Sequence, residues 1–312
     1  MSFPPPGRGA DRTGRAEPPP VPTLQFPAVY HAADQLAIAG RRRSYRLLFV
    51  QLVALTAAAG FAAINWHLGS VRISSGIASL LFLIALVLAL ASAAVKPERS
   101  WYIGRAVAES VKSLTWLYAV GGDPFAVDTA GETEERLASR LQALASGLGD
   151  AASPPSNPVQ IDESVRRLRR LDMVDRRAAY LEGRVNDQVL WYSSKAESNR
   201  VRARGWIAAF VVVSGLGIVG AGLEAADIVE FGFVSLLAAI AASFSAWTQA
   251  KQHSILAASY ALASQELVIA RFIVEAARTE REFAIAAGDA EDAISREHAT
   301  WVARTSAMTL PG

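Results

Sequence analysis

Residues Ile73–Val95 read ISSGIASLLFLIALVLALASAAV and contain no charged side chain. A helix of 23 residues, rising about 1.5 Å at each residue, is long enough to cross the ~30 Å hydrocarbon layer of a bilayer. Inside that layer the backbone must satisfy its polar groups within the segment itself. We therefore predict that this stretch is a transmembrane helix.

Three further stretches have the same character. Leu47–Trp66 and Trp206–Leu223 carry no charge, and Ile228–Thr248 carries only Glu230, which lies near one end. Hydrophobic residues make up 52% of the 312-residue chain and charged residues 19%, below the roughly 25% of an ordinary soluble domain. The mean hydropathy is +0.23. The sequence predicts an all-α polytopic membrane protein with four transmembrane helices.

Basic residues flank the predicted spans on one side only. They precede spans one and three and follow spans two and four: Arg41, Arg42, Arg43, Arg46, Lys96, Arg99, Arg105, Lys195, Arg200, Arg202, Arg204 and Lys251. Arg72 is the only lysine or arginine in the two short loops that join the paired spans. By the positive-inside rule, we expect a multi-pass protein of the cell inner (plasma) membrane with both termini and the central region in the cytoplasm.

The order of the segments repeats along the chain. Spans one and three begin 159 residues apart, and each half reads as a cytoplasmic helix, a two-span hairpin and a long cytoplasmic helix. Two spans per half give both halves the same orientation, which is a parallel repeat; two unrelated hairpins are the alternative. We divide the chain into a disordered Pro-rich tail (1–27), a first two-span unit (28–148), a linker (149–163) and a second two-span unit (164–312).

Long helices are expected next to the spans. Between Ile228 and Ala287 there is no proline, and Gly232 is the only glycine. This pattern predicts that span four continues into the cytoplasm as one rod, with a second helix from Asp289 folding back on it. In the first half, Glu98–Val120 and Thr133–Leu148 are predicted to be helices.

Three carboxylates surround the second outer hairpin. Glu224, Asp227 and Glu230 are three residues apart, a spacing that places them on roughly one side of a helix. In a ring of several copies they would form an acidic mouth that concentrates cations. The alternative is a solvated outer loop, with Glu230 reaching water from one turn inside the span.

An arginine-rich segment follows the linker. Ser164–Arg177 reads SVRRLRRLDMVDRR, with apolar residues on one side of the predicted helix. Its candidate functional side chains are Arg166, Arg167, Arg169 and Arg170. Such a helix could lie on the anionic inner leaflet or bind a phosphorylated ligand. The alternative is a helix of a bundle whose arginines pair with neighbouring aspartates and glutamates.

Motifs that would indicate an enzyme are missing from the sequence. There is no phosphate-binding glycine loop, no H-E-x-x-H zinc motif and no cysteine, and the four histidines are scattered. We therefore expect no catalytic residues, no metal site, no cofactor and no enzymatic activity. A net charge of +2 gives no reason to expect a nucleic-acid partner.

Three stretches resemble a known family. They are WYIGRAVAESVKSLTWLYAVGGDPF (Trp101–Phe125), SYALASQELVIARFIVEA (Ser259–Ala276) and EDAISREHATW (Glu291–Trp301). They are similar to the bacterial SLATT superfamily, the SMODS- and SLOG-associating two-transmembrane effector domains, in its tandem two-unit form.

The resemblance implies a membrane effector that forms a pore in response to a cytoplasmic signal, or to a partner from a nucleotide-based system, in bacterial conflict or stress. It supplies no catalytic residue. Its matched positions are Arg105, Glu109, Trp116, Glu266, Arg296, Glu297 and Trp301. We expect these residues to serve in packing, assembly or signal reception, and not in lining a pore.

Four helices of a single chain leave no room for an aqueous channel, so a pore requires self-association. We expect a homo-oligomeric pore or ion channel, with some preference for cations, gated by movement of the cytoplasmic helices. The alternative is a non-conducting, membrane-anchored oligomeric scaffold for cytoplasmic partners. Polar span residues such as Thr56 and Ser243 discriminate between the two, because they either line water or bond neighbouring helices.

Overall fold

The computed structural model describes residues 23–64, 66–68, 70–127, 130–149, 157, 159–228 and 233–307. Most of the predicted Pro-rich tail and linker lies outside these residues. The described helices are α1 (Ala28–Ala63), α2 (Ile73–Val95), α3 (Pro97–Val120), α4 (Ala130–Gly147), α5 (Glu163–Arg169), α6 (Met173–Tyr180), a π-helix (Leu181–Asn186), α7 (Asp187–Ala225), α8 (Phe233–Lys251), α9 (His253–Ala276) and α10 (Glu280–Ala307). A two-stranded antiparallel hairpin, β1 (His67–Leu68) and β2 (Val71–Arg72), joins α1 to α2.

Among the described residues, four helical stretches are long and apolar enough to cross a membrane, and their apolar parts lie in α1, α2, α7 and α8. The predicted all-α polytopic membrane fold is confirmed. Helix α2 has the bounds that its apolar run predicts. Helix α1 ends at Ala63, three residues earlier than predicted, because the chain then enters the β1–β2 hairpin.

The two halves share a backbone feature at the end of their second membrane helix. Lys96 ends α2 with φ 45°, and Gln252 ends α8 with φ 50°, both in the left-handed region that non-glycine residues seldom adopt. A new helix starts directly after each residue. Lys96 and Gln252 lie 156 residues apart, close to the spacing of the spans, so the repeat extends to this bend.

The prediction of one unbroken rod from Ile228 to Ala287 is wrong. The helix bends at Gln252, and α9 ends at Ala276. Helix α10 then begins at Glu280 and continues through Gly288, where the sequence suggested a break. The reason is a capping box: the Glu282 backbone N–H donates to Thr279 Oγ1 at 3.2 Å, and the Glu282 carboxylate accepts the Thr279 N–H at 3.2 Å.

Outside the apolar segments, the chain folds into a bundle that we call the head bundle. It consists of α3–α6, the π-helix, α9, α10 and the adjoining ends of α1 and α7. Its core mixes both halves of the sequence, with Val111, Trp116 and Phe125 from the first half packed with Tyr180 and Phe283 from the second. The two units therefore share one hydrophobic core.

The predicted helix over Ser164–Arg177 is interrupted. Helix α5 ends at Arg169 and α6 begins at Met173. Each is capped by an aspartate: Asp162 accepts the Ser164 backbone N–H at 2.8 Å, and Asp172 accepts that of Asp175 at 2.9 Å. Two N-caps within eleven residues start two short helices in place of one.

Candidate functional site: the junction between the head bundle and the membrane helices

A buried ion pair lies at the centre of the head bundle. Arg184 of the π-helix donates to both carboxylate oxygens of Glu291 on α10, from Nε at 2.8 Å and from Nη2 at 2.7 Å. Both side chains are almost fully buried, with 0% and 2% of their surface exposed. The same carboxylate accepts the Tyr180 hydroxyl at 3.1 Å, and Arg184 also donates to Ser113 Oγ on α3 at 3.3 Å. These four side chains connect four elements of the bundle, namely α3, α6, the π-helix and α10.

Burial sets the protonation of this cluster. Desolvation and the neighbouring Glu291 carboxylate raise the pKa of Tyr180 well above its usual value, so its hydroxyl stays protonated and donates. Burial alone would lower the pKa of Arg184, but the Glu291 carboxylate raises this pKa by more than burial lowers it. The guanidinium therefore stays charged. Removing one partner of a buried pair leaves an uncompensated charge, which costs about 3–5 kcal/mol.

The ion pair connects directly to a membrane helix. The π-helix that carries Arg184 passes into α7 without a break. Helix α7 is 39 residues long, so it extends about 60 Å from the head bundle to the far end of the third span. About a third of the way along, Asn199 Oδ1 lies 2.7 Å from His253 Nδ1, which ties α7 to the start of α9. The π-helix and α7 therefore form one continuous helical element from Arg184 to the third span.

The predicted arginine cluster bonds within the head bundle. Arg166 pairs with Glu134 at 2.6 Å, and Arg170 pairs with Glu163. Arg169 donates to the Phe125 carbonyl at 2.9 Å and to the Tyr118 carbonyl at the end of α3. Arg167 is exposed. These contacts favour the bundle alternative over a helix lying on the inner leaflet.

Arg176 is a functional candidate that the sequence analysis missed. Its guanidinium is 2% exposed, donates to the Val120 carbonyl at the end of α3 and pairs with Glu280 at the start of α10. Helix ends leave four carbonyls without a helical partner, and Arg169 and Arg176 satisfy two of them. Spacing alone gives no signal for this burial, because an arginine in a charged run is expected at the surface.

Glu224 and Asp227 do not lie on one helical face. Helix α7 ends at Ala225, and Asp227 follows in a turn with φ 53°. Its backbone N–H donates to the Glu224 carbonyl at 3.1 Å, and both side chains are exposed. Glu230 lies outside the described residues. The prediction of a shared helical face is therefore wrong for Glu224 and Asp227, although both remain at the outer turn.

Polar groups in the membrane region bond each other. The hydroxyls of Thr56 on α1 and Ser243 on α8 lie 2.8 Å apart. They border a groove of about 750 Å³ between these helices and Trp206 of α7, and its other lining side chains are apolar. Within one copy of the chain, these two residues join helices.

The residues of the family resemblance lie mostly in helical packing positions. Arg105 and Glu109 form an ion pair at 3.3 Å on α3, and Trp116 is buried against Tyr180 with ring centroids 6.0 Å apart. Glu266 is half-buried on α9. Arg296, Glu297 and Trp301 belong to α10, but their side chains lie outside the described part of the structure. In the described parts of the chain, no three potential metal ligands group together.

Comparison with known protein families gives one match for each half of the chain. The model of SMODS and SLOG-associating 2TM effector domain 3 matches residues 27–177. The model of SMODS and SLOG-associating 2TM effector domain 1 matches residues 180–301. No curated protein and no solved structure gives a significant match. The boundary between the two matches falls at the end of α6, just before the π-helix.

Proposed function

The chain belongs to the SLATT family of two-span membrane effector domains, with two such domains in tandem, and from this premise we propose that it forms a homo-oligomeric pore or ion channel. The head bundle and both termini face the cytoplasm, and the membrane is the bacterial plasma membrane. The protein has no catalytic activity of its own. A cytoplasmic signal or a partner from a nucleotide-based system acts on the head bundle and changes the packing of the membrane helices.

The observation that carries this proposal is the unbroken connection from Arg184 to the third span. A gate requires an element with two arrangements and a rigid link to the pore. The buried Arg184–Glu291 pair offers a contact that is either made or broken, and α7 offers the link. A π-helical turn at this point fits such a role, because π-turns inside helices are frequent at functional sites.

Self-association is supported by the surface of α7. Val211, Val212 and Ile218 are each at least 60% exposed within one chain. A Cβ added at Gly217 or Gly220 would lie within 4 Å of α8 side chains, whereas one at Gly215 or Gly222 would meet nothing within 4 Å. In lipid, small residues allow helices of different chains to approach closely. A second copy packed on this face would place α7 at the centre of an assembly.

The proposal is tested by cation flux from proteoliposomes that contain the full-length protein. We expect potassium release, together with an assembly larger than the 33.3 kDa chain in detergent. The double variant Glu224→Gln/Asp227→Asn removes the outer charges and should slow cation flux several-fold. The control Asp289→Asn/Asp292→Asn removes the same charge from α10 and should leave the flux unchanged. A monomeric protein, or proteoliposomes that release no potassium, would contradict the proposal.

A second function is supported by the hydrogen bond between Thr56 and Ser243. Polar residues that bond each other between helices are not available to line water, which fits a non-conducting oligomeric scaffold for cytoplasmic partners. An oligomeric protein with no ion flux under any head-bundle substitution would favour the scaffold. Retained flux in a Thr56→Val/Ser243→Ala variant would show that this pair serves only packing.

A further inference from the structure

A basic cleft lies where the head bundle meets the membrane helices. It has a volume of about 470 Å³, and its basic lining side chains are Arg41, Arg42, Arg105, Lys195, Arg202 and Lys251. Each belongs to a helix that enters the head-side end of the membrane region or packs against one. Lys251 is the last residue of α8, and Arg202 precedes Trp206 by one helical turn. A bilayer that covers the apolar segments would therefore place the cleft at the level of the lipid headgroups.

The described side chains that line the cleft do not balance its positive charge. Among the described residues that line it, none is acidic. Arg105 pairs with Glu109, but the other five cations form no ion pair with a described residue. The charges of Arg41 and Arg202 both act on Lys251. Cations gathered in this way repel each other, so the cleft favours an anionic occupant.

Aromatic rings form the walls of the cleft and connect it to the membrane. Lys251 Nζ lies 3.3 Å from the centre of the Tyr45 ring and 4.6 Å from that of Trp247. Trp247 in turn contacts Phe49, with ring centroids 6.0 Å apart. Tryptophan and tyrosine prefer the membrane interface, where one side of the ring is apolar and the other is wet.

The apolar groove continues directly from the cleft. Trp247 and Phe49 are lining residues of the 750 Å³ groove between α1 and α8, and Tyr45 and Lys251 line the cleft on the other side of Trp247. A cationic cleft at headgroup depth followed by an apolar groove matches one class of molecule. It accepts a phosphate group at one end and an acyl chain at the other.

We infer that the cleft and groove together bind an anionic phospholipid, with its phosphate among Arg41, Arg42, Arg202 and Lys251 and one acyl chain between α1 and α8. This inference does not depend on whether the chain conducts ions. A soluble phosphate compound offers the same anionic group, but it would leave the adjoining groove empty. The groove is the reason for choosing a lipid.

The test measures phosphatidylglycerol binding to the full-length, detergent-solubilised protein by native mass spectrometry. Arg41→Gln/Arg42→Gln removes two exposed cations of the cleft, and Arg43→Gln/Arg46→Gln removes two cations of the same helix that do not line it. We expect the first variant to weaken binding about tenfold or more, since each basic group near the lipid surface attracts anionic headgroups. The second variant should change binding little. Equal losses in both variants would overturn the cleft as the site.

Two further arms identify the source of the phosphate. Glycerol 3-phosphate carries the anionic group without acyl chains, and phosphatidylcholine carries acyl chains without net charge; both should bind far more weakly than phosphatidylglycerol. Ala57→Trp fills the groove and should weaken phosphatidylglycerol binding, whereas Ala93→Trp on the exposed surface of α2 should not. Glycerol 3-phosphate binding as tightly as the lipid, or an Ala57→Trp variant that binds normally, would overturn the lipid assignment.

Discussion

At the scale of single residues, the head bundle depends on charges that are removed from water. Glu291→Gln keeps the shape of the side chain but leaves Arg184 buried without its counter-charge. We expect the free energy of unfolding to fall by about 3–5 kcal/mol, seen as a lower midpoint in thermal unfolding followed by tryptophan fluorescence. Glu197→Gln breaks the exposed pair with Arg200 and should change stability by less than about 0.5 kcal/mol. Similar shifts of the unfolding midpoint in both variants would contradict the stabilising role of the buried Arg184–Glu291 pair.

The ion pair of Arg166 and Glu134 predicts a pH dependence. The guanidinium lowers the pKa of Glu134 below its usual 4.5, helped by the Tyr118 hydroxyl. A lowered pKa in the folded state means that the stabilisation is complete above the unfolded-state value and is lost as the pH falls through the folded-state value. Glu134→Gln should therefore be less stable than the native chain at pH 7, by about 1 kcal/mol or less for so exposed a pair. Thermal unfolding from pH 7 down to pH 3 should show this difference shrinking below about pH 4.5. A constant difference across the range would exclude this role for Glu134.

At the scale of the elements, two helices of the first unit approach closely. A Cβ atom at Gly104 of α3 would lie 2.6 Å from both the Ala33 carbonyl oxygen and the Ala37 nitrogen of α1. Since these are backbone atoms, Gly104→Ala must force the helices apart, and we expect a loss of at least about 1 kcal/mol in unfolding experiments. Gly205→Ala on α7 meets nothing within 4 Å and should be neutral or stabilising, because alanine favours helices. A Gly104→Ala variant with unchanged stability would contradict this account, because it would show that α1 and α3 move apart at little cost.

The sequence predicts these elements unequally well. The bounds of α2 and most of α3 follow from an uncharged run and from Pro97 and Gly121, which favour the start and end of a helix. The bend at Gln252 does not follow, because glutamine gives no signal for a left-handed backbone. The T-x-x-E pattern of Thr279 and Glu282 signals the start of α10, where glycine and proline give no sign of a break.

The candidate site was less predictable than the fold. Arg184 and Glu291 are 107 residues apart and look like ordinary surface charges in the sequence. Only the packing of α10 against the π-helix brings them together and buries them. The arginine run lies next to this region, where Arg169 and Arg176 hold the end of α3. Their hydrogen bonds are to backbone carbonyls, which leave no pattern in a sequence.

At the scale of the whole molecule, the tandem arrangement combines two hairpins with one core. Bends at Lys96 and Gln252 follow the second membrane helix of each half. Both halves contribute to the larger hydrophobic core of the head bundle. This shared core is what would make gating of four membrane helices cooperative.

Single-channel recording in a planar bilayer tests the central claim most directly. The full-length protein and its Glu291→Gln variant are compared, each verified as inserted and oligomeric. We predict discrete current steps of equal size for both, with the variant open for a larger share of the time because its head bundle no longer restrains α7. The absence of current steps from both proteins would contradict a pore controlled by the head bundle and would favour the scaffold.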